Sequence, residues 1–316
     1  MSIHRPWGSL AGPDPHPSVP LVLTPQDAGW ERAGLRVVRL AAGEVLALAT
    51  GDAEAFVLPL AGSLTVDVEP VEADDVRPAA RFGLQGRVSV FTRVTDFAYA
   101  GRDSLVTLTS SGGAEVALPS ARCERRLPAR YGPAQDVPVE VRGAGGATRQ
   151  VTDLGTPGAW DHADRLVCCE VLTPPGNWSS HPPHKHDVTD PCPVVNEEIY
   201  FYRIAGPDQV TPSRQGFGLH RTYTGPEHAA AGLAPLEETL EVRDGDVVLV
   251  PYGYHGPCAA APGYPMYYLN VLAGPGDQRS TAFCDDPQHA WVRAGRDGVE
   301  ADARCPLTSA TERTDR

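Results

Sequence analysis

Short aliphatic runs, each cut off by Gly or Pro, recur along this chain from Leu35 onward and leave little room for helices. Residues 35–40 and 44–48 open the series. Residues 55–68 read as two strands around a Gly62-Ser63 turn, 97–108 as two more, and 115–118 follows. No apolar period of 3.6 residues interrupts this half. Beyond Arg142-Gly143-Ala144-Gly145-Gly146-Ala147-Thr148-Arg149, the best candidate boundary, the β-type runs resume at 166–172, 198–203, 217–223, 240–242, 246–250 and 266–271. With 32 Gly and 31 Pro among 316 residues, turns are frequent enough for many short strands. The two halves carry the same kind of strand succession, so the expected fold is all-β: two tandem β-sandwich or jelly-roll barrels. The expected divisions are a Pro-rich arm over 1–20 (Pro6, Pro13, Pro15, Pro17, Pro20), a first barrel over 21–145, a second over 146–300, and a polar tail over 301–316 that frays from about Arg304.

The net charge of −13 is spread without a basic block, so neither nucleic acid nor an anionic membrane surface is an expected partner. No apolar window reaches membrane-spanning length. Met1 to Trp7 leads into the Pro-rich arm and not into an apolar run of signal length. The seven cysteines contain no C-x-x-C pair and read as reduced thiols, so the expected location is cytoplasmic. Cys192, between the histidine pair and Glu198, reads as a loop cysteine before it reads as a ligand. The oligomeric state stays open, a homo-oligomer being compatible with the sequence.

Histidine placement separates the halves. None occurs between His16 and His162, so a His-rich site cannot be built inside the first barrel. The second half holds His181-Pro182-Pro183-His184-Lys185-His186-Asp187, then Glu197-Glu198, then Val247-Val248-Leu249-Val250-Pro251-Tyr252-Gly253-Tyr254-His255. Residues two apart on a strand share a face, so His184 and His186 point together. With Glu198 and His255 they make a set of three imidazoles and one carboxylate, suited to one divalent ion (Zn, Mn, Fe or Ni) with positions left open for a ligand. Closed structural zinc fits less well, because Tyr and Arg surround the set instead of Cys. Glu198 is preferred to Glu197 because it shares a face with Tyr200 and Tyr202, whereas Glu197 shares one with Ile199 and Phe201. Lys185 points away from the ion and reads as structural or rim. Tyr200, Tyr202, Tyr254 and Tyr268 each offer a phenol, or a core ring with a satisfied OH. Arg203 and Arg221 are the candidates to grip a carboxylate, or else surface strand residues. His220 is packing or a proton carrier.

The His-x-His, Glu and Pro-x-Gly-x-His pieces resemble the two cupin motifs. The match becomes specific in 176–187, 197–203, 215–218, 260–264 and 267–271, with Thr95-Asp96-Phe97-Ala98-Tyr99 in the first half. Together these resemble the bicupin isomerase family of inositol catabolism, the 5-deoxyglucuronate isomerases, over roughly residues 25 to 295. The resemblance implies conversion of 5-deoxy-D-glucuronate, a small anionic sugar, to 2-deoxy-5-keto-D-gluconate, with metal ligands at His184, His186, Glu198 and His255. Three departures stand out. His181 replaces the family's usual Tyr, and Gly256 replaces its usual Pro. Eleven residues separate His186 from Glu198, longer than ordinary cupin spacing but itself family-like.

The implied chemistry joins the C1 and C2 oxygens at the metal, acidifies the C2 proton and passes through a cis-enediolate. The proton carrier stays open among Tyr254, His220, Tyr200 and hydroxide at the metal. The carboxylate would meet Arg203 or Arg221, with Tyr202 and Tyr268 lining the sugar site. Two other readings are a cupin metal-dependent dioxygenase, which would consume oxygen, and a non-catalytic sugar-binding bicupin, whose binding would survive metal removal.

Overall fold

The computed structural model describes residues 2–10, 16–72 and 74–311. Among the described residues twenty-two strands form three sheets, and the helices are single short turns such as Pro226–Ala230. All nine strands of the largest sheet lie between Leu21 and Gly132. Its long member, Ala53–Pro70, is one strand where two were expected. Gly62 sits at φ +82°, and a Cβ there would lie 2.4 Å from the Gly113 carbonyl oxygen, so only glycine passes. Register shifts flank it, and the strand bends from its partner Ala114–Arg122 to Ala80–Arg87 and Ser104–Thr109. A bulged bend curls the sheet without ending the strand.

The remaining strands build a sandwich. A seven-stranded sheet contains, side by side, Val247–Val250, Glu197–Ile204, Met266–Ala273, Val167–Thr173, Arg149–Thr152 and Val139–Arg142. A six-stranded sheet contains Glu237–Val242, Gly218–Tyr223, Tyr254–Ala260, His184–Lys185 and Cys284–Asp285, with Trp178–Ser179 paired to Tyr254–Ala260. The Gly-rich stretch expected as a boundary is the turn of a hairpin joining Val139–Arg142 to Arg149–Thr152, so the second sandwich begins earlier than residue 146. The arm belongs to it too. His4–Arg5 pairs with Val247 and Val248, and Asp246 accepts from His4 Nε2 at 3.1 Å and from the Trp7 amide at 3.0 Å. Pro13 and Pro15 lie outside the described residues. The tail is fixed as far as it is described. Thr308 is buried and makes two hydrogen bonds to the Gln150 side chain, at 2.8 and 2.9 Å, because a buried amide side chain needs partners.

Strand alternation then assigns the faces. One face of the seven-stranded sheet presents Ile199, Phe201, Leu249, Leu269 and Val271 to the first barrel, where they pack with Leu35, Val37, Phe56, Leu58 and Tyr99 in a single core. The other face presents Glu198, Tyr200, Tyr268 and Asn270 to the space between the two sheets of the sandwich. The first barrel keeps a separate interior of Val38, Val57, Val66, Val106, Leu108 and Val116.

Acidic side chains stitch the halves together. Glu197 accepts from the amides of Glu31, Arg32 and Ala33 at 2.7, 2.9 and 2.7 Å. Glu54 accepts from the amides of Asp164, Arg165 and Leu166 at 2.8, 2.6 and 2.6 Å. Arg87 pairs with Glu170, both fully buried.

Candidate active site

Two crossings of the sandwich create the site. The Val247–Val250 strand lies in one sheet, and Pro251 to Gly253 carries the chain to the other, where Tyr254–Ala260 begins. His255 therefore sits on this next strand and not at the end of the preceding one as the sequence suggested. It stands directly opposite His184 in the register. Gly253 (φ +94°) makes the crossing, and its amide donates to Asp187 Oδ2 at 2.8 Å. The second crossing runs from His184–Lys185 to Glu197–Ile204 and brings Glu198 up from the facing sheet.

The side chains of His186, Glu198 and His255 converge, their ligand atoms all within 4.8 Å of one another. Glu198 Oε2 lies 2.9 Å from His186 Nε2 and 3.0 Å from His255 Nε2. Each Nδ1 faces a backbone carbonyl: Asn196 for His186 at 3.0 Å, Gly253 for His255 at 3.3 Å, and Pro182 for His184 at 3.3 Å. A carbonyl only accepts, so Nδ1 carries the proton and Nε2 presents its lone pair. Lone pairs then point at a carboxylate, and His255 Nε2 is buried without a hydrogen-bond partner. A cation at the convergence point removes that conflict, so the donor set fits a divalent metal. The second Glu198 oxygen accepts from Asn270 Nδ2 at 2.6 Å, which fixes the carboxylate plane. Burial alone pushes the Glu198 carboxyl up, a penalty that a positive charge at the convergence point offsets. Burial first, and then His255, holds His184 neutral.

His184 is not in the converging group. Its ring centroid lies 4.5 Å from that of His255 and 4.7 Å from that of Phe283, against which it packs.

A cavity of about 430 Å³ opens over the group. Its lining includes His184, His186, Glu198, Tyr200, Tyr268 and Asn270. The Tyr200 and Tyr268 hydroxyls share Ser180 Oγ at 3.3 and 3.1 Å. Ser180 itself has φ +47°, a conformation costing about 1 kcal/mol or more in a non-glycine residue.

The KduI/IolB family profile matches residues 13–292. The chain belongs to the KduI/IolB family. The 5-deoxy-glucuronate isomerase of Geobacillus kaustophilus is 38% identical over 272 residues, covering 85% of this chain and 89% of that protein. The crystal structure of an IolB-like protein from Salmonella typhimurium LT2 superposes with a TM-score of 0.77 at 32% identity, covering 93% of this chain and 100% of that one. Oxalate decarboxylase of Bacillus subtilis shares the fold alone, with a TM-score of 0.56 at 14% identity over 87% of this chain and 78% of that one. The fold is a bicupin, and the protein is an isomerase by its KduI/IolB membership.

Several residues that the sequence proposed for the site lie elsewhere in this KduI/IolB chain. Arg203 points to the first barrel, where it pairs with Glu115 and, at 2.7 Å, with Asp244. It sits on the Glu197 face of its strand, so alternation turns it away from the cavity. Arg221 pairs with Glu237 at 3.0 Å on the surface and covers the Tyr223 ring at 4.0 Å. Tyr202 and His220 form a closed pair behind Tyr200: the Tyr202 hydroxyl donates to His220 Nδ1 at 2.6 Å, and His220 Nε2 donates to Thr222 Oγ1 at 3.0 Å. Burial, and then His255, lowers His220 to about 3, so it stays neutral. Tyr254 packs among Tyr223, His228 and the Lys185 ammonium, outside the cavity lining. Lys185 is fully buried and not at a rim; Nζ donates to the carbonyls of Thr189 and Asp190 at 3.0 and 3.1 Å. Cys192 donates to the Lys185 carbonyl at 3.0 Å and is no part of the converging group.

Asn270, Ser180 and Arg149 line the cavity and were missed by the sequence reading. Asn270 was legible: it is two residues beyond Tyr268 and shares its face. Of the two substituted positions among the departures from the family, Gly256 has a steric account. Its φ is +81°, and a Cβ would stand 2.0 Å from the Ser180 carbonyl oxygen. His181 lines the cavity with Nδ1 buried and unpartnered.

Proposed function

We propose that this chain converts 5-deoxy-D-glucuronate to 2-deoxy-5-keto-D-gluconate, an aldose–ketose isomerisation, in the cytoplasm of its cell. The observation that carries the reading is the buried His186–Glu198–His255 group beside a cavity that His186 and Glu198 line. The relatives' printed activity supports the substrate. His186, Glu198 and His255 would hold one divalent ion of the Zn, Mn, Fe or Ni type, with His184 beside them as the fourth donor. When bound, such an ion supplies Lewis-acid polarisation of a carbonyl and an adjacent hydroxyl.

The chain's own residues do the rest. Asn270 and the three backbone carbonyls hold the donors in place before substrate arrives, which limits reorganisation during reaction. Burial, and then the Glu198 charge, keeps the Tyr200 phenol protonated far above its ordinary value. Of the three side chains among the proton-carrier candidates, Tyr200 alone lines the cavity. As a phenol it donates a proton or hydrogen bond to a substrate oxygen instead of removing one from carbon. Ser180 orients Tyr200 and Tyr268 together.

The test incubates metal-loaded protein with 5-deoxyglucuronate in deuterated water and follows C1 and C2 by NMR. Keto product with deuterium exchanged at the reacting carbons is the expected result. No product with any added divalent ion would reject the isomerase reading, and oxygen consumption would replace it with a dioxygenase.

A further inference from the structure

We infer that Arg149, with His181 beside it, forms a subsite for the carboxylate of a sugar acid at the end of the cavity away from the His186–Glu198–His255 group. The inference rests on the isomerase reading only for the identity of that sugar acid.

Alternation along Arg149–Thr152 places Arg149 and Val151 on the cavity face, while Gln150 turns away to Thr308. Arg142 and Arg293 also line the cavity, but both are neutralised. Arg142 pairs with Glu140 at 2.7 Å and Asp153 at 3.2 Å, and Arg293 Nη2 meets Asp285 at 2.6 Å. Arg149 has no acidic partner among the described residues; its guanidinium makes one hydrogen bond, to the Ala147 carbonyl at 3.3 Å. The acids on this wall, Glu140 and Asp153, are held by Arg142, and Arg296 is a further cation near Arg149. A poorly solvated guanidinium without a counter-ion is costly unless an anion joins it. This happens in a protein of net charge −13, where acidic partners are plentiful. The unpartnered Nδ1 of His181 lies in the same cavity wall, next to Arg296, which donates to the His181 carbonyl at 2.6 Å. A planar carboxylate accepts from a guanidinium fork through two oxygens and takes a further bond from an imidazole N–H.

The spacing sets the size of the ligand. Glu198 and Arg149 are on strands three places apart in the seven-stranded sheet. The register also offsets them by about six residues along the strands, so the backbones stand roughly 14 Å apart across the sheet and roughly 20 Å apart along it. The two side chains reach inward across this gap, leaving room for a chain of sugar length and not for a two-carbon acid.

The experiment measures binding of D-glucuronate and of its uncharged amide to the metal-loaded protein by calorimetry, in the wild type, Arg149→Gln and Arg149→Lys. The wild type is expected to prefer the acid by about ten- to a hundredfold, the range for hydrogen bonds to a charged group. Arg149→Gln should erase the preference, and Arg149→Lys should restore part of it, with metal content unchanged in both. For turnover of 5-deoxyglucuronate, Arg149→Gln should raise KM by a similar factor and leave most of kcat. Equal affinity of the wild type for acid and amide would overturn the subsite, as would an unaltered preference in Arg149→Gln. If Arg149→Gln does not fold, the wild-type and Arg149→Lys comparison decides. A wild type that prefers the acid yet never isomerises 5-deoxyglucuronate would keep the subsite and discard the isomerase reading.

Discussion

The two barrels of this chain are built from similar strands and differ in what fills them. The interior of the first is aliphatic and tightly packed at its centre, with Val66, Val106, Leu108 and Val116 at most 1% exposed. The interior of the second holds histidines, tyrosines, a carboxylate and an open cavity. A packed aliphatic interior gains stability from every methylene and leaves no place for a ligand. The polar interior forgoes part of that gain, and each of its groups must be held by a partner, as Asn270 holds Glu198. The first barrel thus acts as the rigid body against which the second is braced. The stitching acids, Glu54, Glu197 and the Arg203–Glu115 pair, all lie on that shared face.

The sharpest way to break this comparison is to remove a donor from the second barrel. His186→Ala should lose bound metal and more than about 10³-fold in activity while circular dichroism and the thermal midpoint change little. Full activity would take the metal out of the mechanism. Next comes the brace. Glu115 is half-buried between Arg203 and Arg39, and Glu115→Gln should destabilise the protein by about 3 kcal/mol in denaturant titration, by leaving the buried Arg203 with Asp244 alone. Burial pushes the Glu115 carboxyl up, but Arg203 and Arg39 outweigh this and lower it in the folded state. The folded form therefore holds its charge more strongly than the unfolded form. Its contribution is present in full above the ordinary carboxylate value and is lost as pH falls through the lowered one. Stability of Glu115→Gln should accordingly fall less steeply with acid than that of the wild type. In the filled barrel, Leu108→Ala should cost about 2–5 kcal/mol with kcat unchanged at a temperature where the variant stays folded. A fall in kcat without loss of stability would show that the first barrel is more than a brace. The smallest effect belongs to Arg221→Ala, an exposed pair worth under about 1 kcal/mol, with KM unaltered.

Strand positions were largely legible, because a period-two pattern and a Gly or Pro break are local signals. Tyr254–Ala260 escaped notice because its Gly256-Pro257 pair looks like a turn, yet it carries His255. Glu198 was separable from Glu197 by the company each keeps on its face. The same alternation places Arg203 with Glu197 and away from the cavity, although its charge and its proximity to the motif point to the site. Arg149 carried no local signal, being the end of a Gly-rich stretch that read as a boundary.

What the sequence determined by itself was the all-β architecture, the half that could hold imidazoles, and which residues share a strand face. These follow from short-range sterics and composition. Only the tertiary structure decided which face meets the first barrel and which meets the cavity, which arginines find acids, and that His184 stands beside the converging group and not within it. Those outcomes depend on contacts between residues far apart in the chain, such as Arg203 with Glu115 and His255 with Glu198, and no local pattern encodes the partner.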